Sequence, residues 1–295
     1  LLGLPVPGHH AGFPDEEATI AGLRREFALA LIQGTAMWWF DMFGHWYEGD
    51  QVLNAIQQMG ALWHRIAHQP CESVAEVAVF VDSESLLYLD GMAPSYNDFL
   101  INQRISLSKM GAPFDVYTFS DLPTVDLSRY KMVLFPNLFV VDAERRKLLT
   151  ERVCRSGRTV VWVYGPGIIS DGRYDPARVE ELTGVPFGTN DLTARSMGDW
   201  QSVFSPRPNV PAKTLREIAQ QAGVHLYCEE GQVLYVNSRF LAFHTATPGR
   251  YTIRLPKRCS KIEELFSDKI LAENADRFVV ECDKPTTILC QLHGL

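Results

Sequence analysis

The chain has 295 residues, 46% of them hydrophobic and 21% charged, which is enough for two or three cores of an ordinary globular protein. Its formal net charge of −7 comes without a basic cluster, so a phosphate backbone is repelled rather than steered in, and nucleic-acid binding is set aside. No apolar run approaches the roughly 18 to 20 residues that span a bilayer as a helix, so no membrane partner is expected.

Leu1 to Phe13 is rich in Gly, Pro and His and has no strand pattern. With no initiator Met before it, the chain is expected to begin mid-domain, as the C-terminal piece of something longer. The compartment stays open, the cytoplasm favoured. Asp15-Glu16-Glu17 then offers an N-cap and an acidic first turn, Ile20, Leu23, Phe27 and Leu31 keep a helical spacing, and Gly34 sits where a C-terminal glycine belongs. The aromatic run Gly34 to Met42 reads as one strand of a parallel α/β sheet, delivering aromatics and a carboxylate to the strand end where such folds bind ligands. Asp50 offers a cap for a second helix through Val52, Ile56, Met59, Trp63 and Ile66.

Beyond Pro70 the pattern changes. Ala75 to Val81, Phe114 to Phe119, Met132 to Phe135 and Thr159 to Val163 read as strands; helices over Tyr96 to Met110 and from Asp142 to Arg155 alternate with them. That alternation predicts a doubly wound parallel sheet. Residues 171–210 predict an irregular excursion, followed by a helix at Leu215 to Gln221 and a last strand at Val224 to Tyr227. From Gln232 the helices disappear. Val233 to Val236, Phe240 to Phe243, Tyr251 to Leu255, Phe278 to Val280 and Thr286 to Leu292 predict a small antiparallel β-sandwich.

Cys71, Cys154, Cys228, Cys259, Cys282 and Cys290 show neither a C-x-x-C pair nor a Cys/His cluster at metal spacing. They read as small buried hydrophobes, with a Cys282–Cys290 disulfide left open, and no metal or other cofactor is expected.

Several segments together carry a family resemblance: Arg24-Arg25-Glu26-Phe27 followed by Gly34 to Met42, Ala75 to Asp82, Gly111-Ala-Pro-Phe-Asp-Val-Tyr117, Val161-Trp-Val-Tyr-Gly-Pro-Gly167, and Gly249 to Pro256 with Glu264-Leu-Phe266 and Thr287 to Leu292. In this order they resemble the C-terminal half of a β-galactosidase-like glycoside hydrolase of the family-42 type or a relative. The resemblance implies an α/β fold in three parts. Residues 1–70 would be the end of a TIM barrel, including its eighth strand. Residues 71–230 would be a flavodoxin-like, glutamine-amidotransferase-like trimerisation domain, and residues 231–295 a C-terminal β-sandwich. It further implies a retaining mechanism with an acid/base Glu and a nucleophilic Glu, both upstream of Leu1, so that the catalytic residues are not in this chain. The implied partners are a carbohydrate in the intact parent and further copies in a homo-oligomer.

Within that frame Trp38, Trp39, Asp41, Trp46 and Tyr47 are the candidate sugar-binding residues. Asp41 would bind hydroxyls or orient a catalytic Glu; the alternative is a buried aromatic pair with Asp41 capping the loop. Side-chain alternation sends Trp38 and Trp39 to opposite sides, so at most one can line a barrel lumen. Trp46 and Tyr47 suit stacking on a sugar or a hydrophobic lid. His9 and His10 read as solvated loop residues, and Glu48 and Asp50 as a turn and a helix cap.

Amidotransferase chemistry would need a nucleophile at Tyr164 or Gly165, on the strand-to-helix turn, but no Cys stands there. Asp82-Ser-Glu-Ser85 ends the first strand at an edge where ligands often bind, and reads as a helix-capping loop. A rival reading is a non-catalytic carbohydrate-binding or assembly module with a flavodoxin-like core. A third is a free-standing small-molecule-binding protein to which residues 15–69 simply add.

Overall fold

The computed structural model describes residues 13–41, 44 and 47–294, which divide into two compact units. One is Ala75–Leu226; the other joins the described residues before Ala75 to those from Tyr227 onward. In chain order the helices are α1 (Glu16–Ile32), α2 (Asp50–Ile66), α3 (Pro94–Asn97), α4 (Gln103–Ser108), α5 (Ala143–Arg152), α6 (Ala177–Thr183) and α7 (Ala212–Gln221). The strands are β1 (Val77–Val81), β2 (Phe114–Thr118), β3 (Met132–Phe135), β4 (Thr159–Val163), β5 (Ile169–Ser170), β6 (Arg173–Tyr174), β7 (Thr193–Ser196), β8 (Gln201–Ser205), β9 (Val233–Val236), β10 (Phe240–Thr245), β11 (Gly249–Glu264), β12 (Lys269–Cys282) and β13 (Thr286–His293).

In the Ala75–Leu226 unit a six-stranded sheet runs β2-β1-β3-β4-β8-β7, parallel throughout except for the antiparallel edge strand β7. The central strands are apolar along their whole length because helices cover both faces of such a sheet. On one face Tyr117, Phe80, Phe135 and Trp162 stand side by side on β2, β1, β3 and β4. Their ring centroids are 5.4, 5.8 and 5.1 Å apart in turn. This ladder is a continuous aromatic spine across the sheet.

The fifth parallel strand differs from expectation. It is β8, inside the supposedly irregular stretch 171–210, and Val224 to Tyr227 forms no strand. Gln201-Ser-Val-Phe-Ser205 has only two apolar residues and so carries little pattern. Val224 instead returns its backbone N–H to the carbonyl of Ala219, closing the end of α7.

In the other unit, α1 and α2 cover an antiparallel five-stranded sheet of order β12-β11-β13-β10-β9. Phe27, Leu31, Met59 and Leu62 from the helices share a core with Phe240, Ala242 and Leu289 from β10 and β13. On the opposite face Leu241 and Phe243 pack with Tyr251, Ile253, Phe278 and Val280 from the long β11–β12 hairpin. Where a small β-sandwich is expected, the five strands pair as one continuous sheet, and the β11–β12 register shifts between Arg254 and Cys259, around Pro256, which has no N–H to give to a ladder.

The predicted strand over 34–42 is corrected as well: residues 35–41 form no ladder. An aromatic run becomes a strand only when a neighbour takes its backbone hydrogen bonds, and no strand pairs with it among the described residues. All six cysteines are free, so Cys282 and Cys290 are not bridged.

Candidate functional site

α1 starts as the sequence predicts, with the Asp15 carboxylate accepting the Ala18 N–H at 2.7 Å, and ends at Gly34, whose φ of 65° suits glycine. The following segment is extended, so its side chains alternate although it belongs to no sheet. Met37 and Trp39 pack onto α1 and α2, while Trp38, 74% exposed, faces away with Phe40, their rings 4.9 Å apart. Trp39 lines a cavity of about 170 Å³ with Phe27, Met59, Trp63 and His64.

Tyr47 closes the inner side. Its ring meets Trp39 edge-on at 5.8 Å and its hydroxyl donates to the Phe40 carbonyl at 3.4 Å. Burial, and then the nearby Asp41 charge, push the Tyr47 hydroxyl above its usual pKa, so it stays a protonated donor. Trp39, Asp41 and Tyr47 are thus brought together, Trp38 is turned away from them, and Trp46 lies outside the described residues, as do His9 and His10. Asp50 is the first residue of α2 rather than its cap, which is Gly49 at φ 94°; its charge favours the positive helix end. Phe40 is not singled out by the sequence, and its only signal is its position two residues after Trp38. Together Trp38 and Phe40 present an exposed apolar platform suited to the face of a sugar ring.

At β1 the mouth of the parallel sheet is occupied by the chain's own side chains. Asp82, 2% exposed, ends β1 and takes both arms of Arg145 from α5, at 2.9 and 3.1 Å. It also accepts the Ser85 hydroxyl and, at 3.1 Å, the Ser85 N–H, at the start of the short turn Ser85–Tyr88. The Ser85 hydroxyl oxygen accepts the N–H groups of Phe139 and Val140, both at 2.9 Å, and Asn137 exchanges two hydrogen bonds with the Asp82 backbone. Burial lowers the Arg145 pKa, but the hydrogen bond and charge of Asp82, then Glu84, outweigh it and hold the guanidinium above its usual value. This network ties the segments that follow β1 and β3 to α5 and commits Asp82 to four hydrogen bonds within the chain.

After β4, Tyr164 adopts φ 64°. No cysteine stands on that turn. Cys154, just past the end of α5, is pushed up to about 12 by burial, and the buried Cys228 points its sulfur at the Glu230 carboxylate, 3.0 Å away. Among the described residues no group of His, Cys, Asp and Glu gathers as a metal site would require.

No family model matches the chain, and no curated protein matches it by sequence. Solved structures do. A β-galactosidase from Rahnella sp. R3 superposes with a TM-score of 0.64 at 14% identity, over 95% of this chain and 52% of that one. A GH42 β-galactosidase from G. stearothermophilus, solved as a catalytic mutant, gives 0.63 at 16% identity, over 91% and 50%. An α-L-fucosidase isoenzyme from Paenibacillus thiaminolyticus gives 0.52 at 11%, over 95% and 59%. The chain spans only half to three-fifths of the length of these enzymes. Its parallel sheet and separate antiparallel sheet are those of a C-terminal-like part of the GH42 β-galactosidases, of which it is a structural relative.

Proposed function

We propose that the chain is the rim and assembly portion of a glycoside hydrolase of the β-galactosidase type, whose two catalytic carboxylates lie in the rest of the parent. The observation that carries this reading is the likeness to GH42 β-galactosidases over nearly the whole chain but only half of theirs. In the parent the segment 35–41 adds to the barrel as its eighth strand, with Trp38 and Phe40 facing the sugar and Asp41 on the side of Trp39 and Tyr47. Trp39 and Tyr47 hold that segment against α1 and α2. The parent then hydrolyses a β-linked sugar with retention, through two carboxyl groups roughly 5 to 5.5 Å apart. The fucosidase match keeps the sugar itself open, because the shared fold does not select it.

The Ala75–Leu226 unit reads as a flavodoxin-like, amidotransferase-type domain without a nucleophile. Its strand order β2-β1-β3-β4-β8 supports the first half of that reading, and the raised Cys154 thiol the second. Its task is assembly of a homo-oligomer. Leu87, 84% exposed, and Met92, 91% exposed, support an interface on this unit. Light scattering is expected to show a defined oligomer that Leu87→Glu with Met92→Glu shifts to monomer; a strict monomer at high concentration would count against the assembly role.

The two tryptophans separate binding from packing. In the parent, Trp38→Ala is expected to lower kcat/KM on an aryl β-galactoside about tenfold, the loss of roughly 1.4 kcal/mol of stacking, with the urea midpoint unchanged. Trp39→Ala should instead lower the urea midpoint. Unchanged kcat/KM in the first variant would remove Trp38 from the sugar site.

A further inference from the structure

The Ala75–Leu226 unit has a concavity that plays no part in that reading. β4 and β8 are parallel neighbours paired from Thr159–Gln201 to Val163–Ser205, and both end at the same edge of the sheet. The residues that follow them, Tyr164 on one side and Arg207 on the other, border a cavity of about 360 Å³, within the size range of small-molecule pockets. The crevice beyond the carboxyl ends of parallel strands is where open α/β sheets hold their ligands. At β1 that crevice is filled by the Asp82–Arg145 network; here it is open.

Its walls are aromatic and its rim is polar. Tyr164 and Phe187 meet edge-on at 5.8 Å, and the fully buried Phe204 lies beneath. The Tyr164 ring is 42% exposed, yet its orientation is set by edge contacts to Phe99 at 5.6 Å and Phe139 at 6.5 Å. Its left-handed backbone is unfavourable for any residue with a large side chain, and such strain is retained where surroundings impose it, often beside ligands.

Arg207 has an anchored backbone: its N–H donates to the Ser205 hydroxyl at 3.4 Å, and that hydroxyl donates to the Arg207 carbonyl at 3.2 Å. The guanidinium itself is exposed and has no hydrogen-bond or ion-pair partner among the described residues, and the same holds for the Asn190 amide. A free guanidinium fork beside two ring faces matches a planar carboxylate carried on a ring.

We infer that this cavity binds a small six-membered-ring carboxylate, a hexuronate or an aromatic acid. The ring packs against Tyr164 and Phe187 and the carboxylate sits on Arg207, with Asn190 available to a hydroxyl or to the second oxygen. The inference is independent of the hydrolase reading, since no barrel residue takes part.

Calorimetric titration of this chain with galacturonate, benzoate and galactose tests it. Saturable binding of at least one of the two carboxylates is expected, at least tenfold tighter than galactose, and the tighter of the two identifies the ring class. Arg207→Gln should weaken that binding at least tenfold while leaving the urea midpoint unchanged, since the guanidinium supports nothing in the fold. Tyr164→Asn, which tolerates the left-handed backbone but lacks the ring, should weaken it as well. Absence of saturable heat with both carboxylates would overturn the inference. So would galactose binding as tightly as galacturonate and benzoate, or wild-type affinity in the Arg207→Gln variant.

Discussion

Phe135→Ala is expected to cost the Ala75–Leu226 unit about 3 to 5 kcal/mol of stability. Phe135 is fully buried on β3 and lies between Phe80 at 5.8 Å and Trp162 at 5.1 Å, the latter pair only 12° from parallel. Phe119 touches it from a third side at 6.3 Å. Truncation removes the transfer free energy of the ring, opens a cavity and cuts the aromatic ladder at its centre, where neighbouring strands have least freedom to close the gap. With native stabilities of about 5 to 15 kcal/mol, a loss of this size takes a large share of the total. Urea unfolding monitored by tryptophan fluorescence measures it. Phe135→Leu, which keeps most of the volume, should cost clearly less, and equal costs for the two variants would show that the lost volume contributes nothing beyond the loss of the ring's contacts.

The second large effect comes from a polar residue. Arg158, only 6% exposed, has no acidic partner among the described residues and donates to backbone carbonyls alone. Its Nε reaches the Tyr130 carbonyl at 3.0 Å. One terminal nitrogen reaches those of Arg152 and Val153 at 3.0 and 2.9 Å, and the other that of Leu127 at 3.0 Å. Two of these carbonyls belong to the C-terminal end of α5, where unsatisfied acceptors and the negative end of the helix dipole both favour a cation. Burial lowers the Arg158 pKa, but an arginine remains charged at any ordinary pH. Arg158→Ala removes a donor from four carbonyls, of which those of Leu127 and Val153 keep the backbone N–H of Tyr130 and Arg155, and the expected cost is roughly 3 kcal/mol. Arg158→Lys keeps the charge but loses the fork, and should recover only part of the loss. A urea midpoint for Arg158→Ala within error of wild type would show that water replaces the guanidinium at no cost.

The two residues differ in how far the sequence discloses them. Met132 to Phe135 is an apolar run that identifies a buried strand by itself, and α1, α2, β1 and β4 are equally legible because burial on one or both faces writes a periodic pattern. Arg158 lies in Ser156-Gly-Arg-Thr159, which reads as a polar turn; its role depends on carbonyls gathered from 127 to 153, contacts that no local pattern encodes. β8 escapes notice because its burial is carried by serines as well as by Val203 and Phe204. The length of β11 is hidden by Pro256-Lys-Arg258, which interrupts the alternation where the register shifts.

The aromatic run after α1 shows both outcomes. Composition predicts a strand, and the strand is absent because pairing requires a neighbour. The alternation of Trp38 and Trp39 holds all the same, since any extended backbone sends successive side chains to opposite sides. The cavity at Tyr164 and Arg207 brings together residues 43 positions apart and leaves no signal along the chain beyond the turn Tyr164-Gly-Pro-Gly167.

We propose that this chain completes a glycoside hydrolase without carrying its reaction. The direct measurement is the rate of aryl β-galactoside hydrolysis by the full-length parent and by the present chain alone, at equal molar concentration. Hydrolysis by the parent, with no rate above buffer for this chain, is the predicted result. Turnover by this chain on its own, or a parent inert toward every aryl glycoside offered, would contradict it.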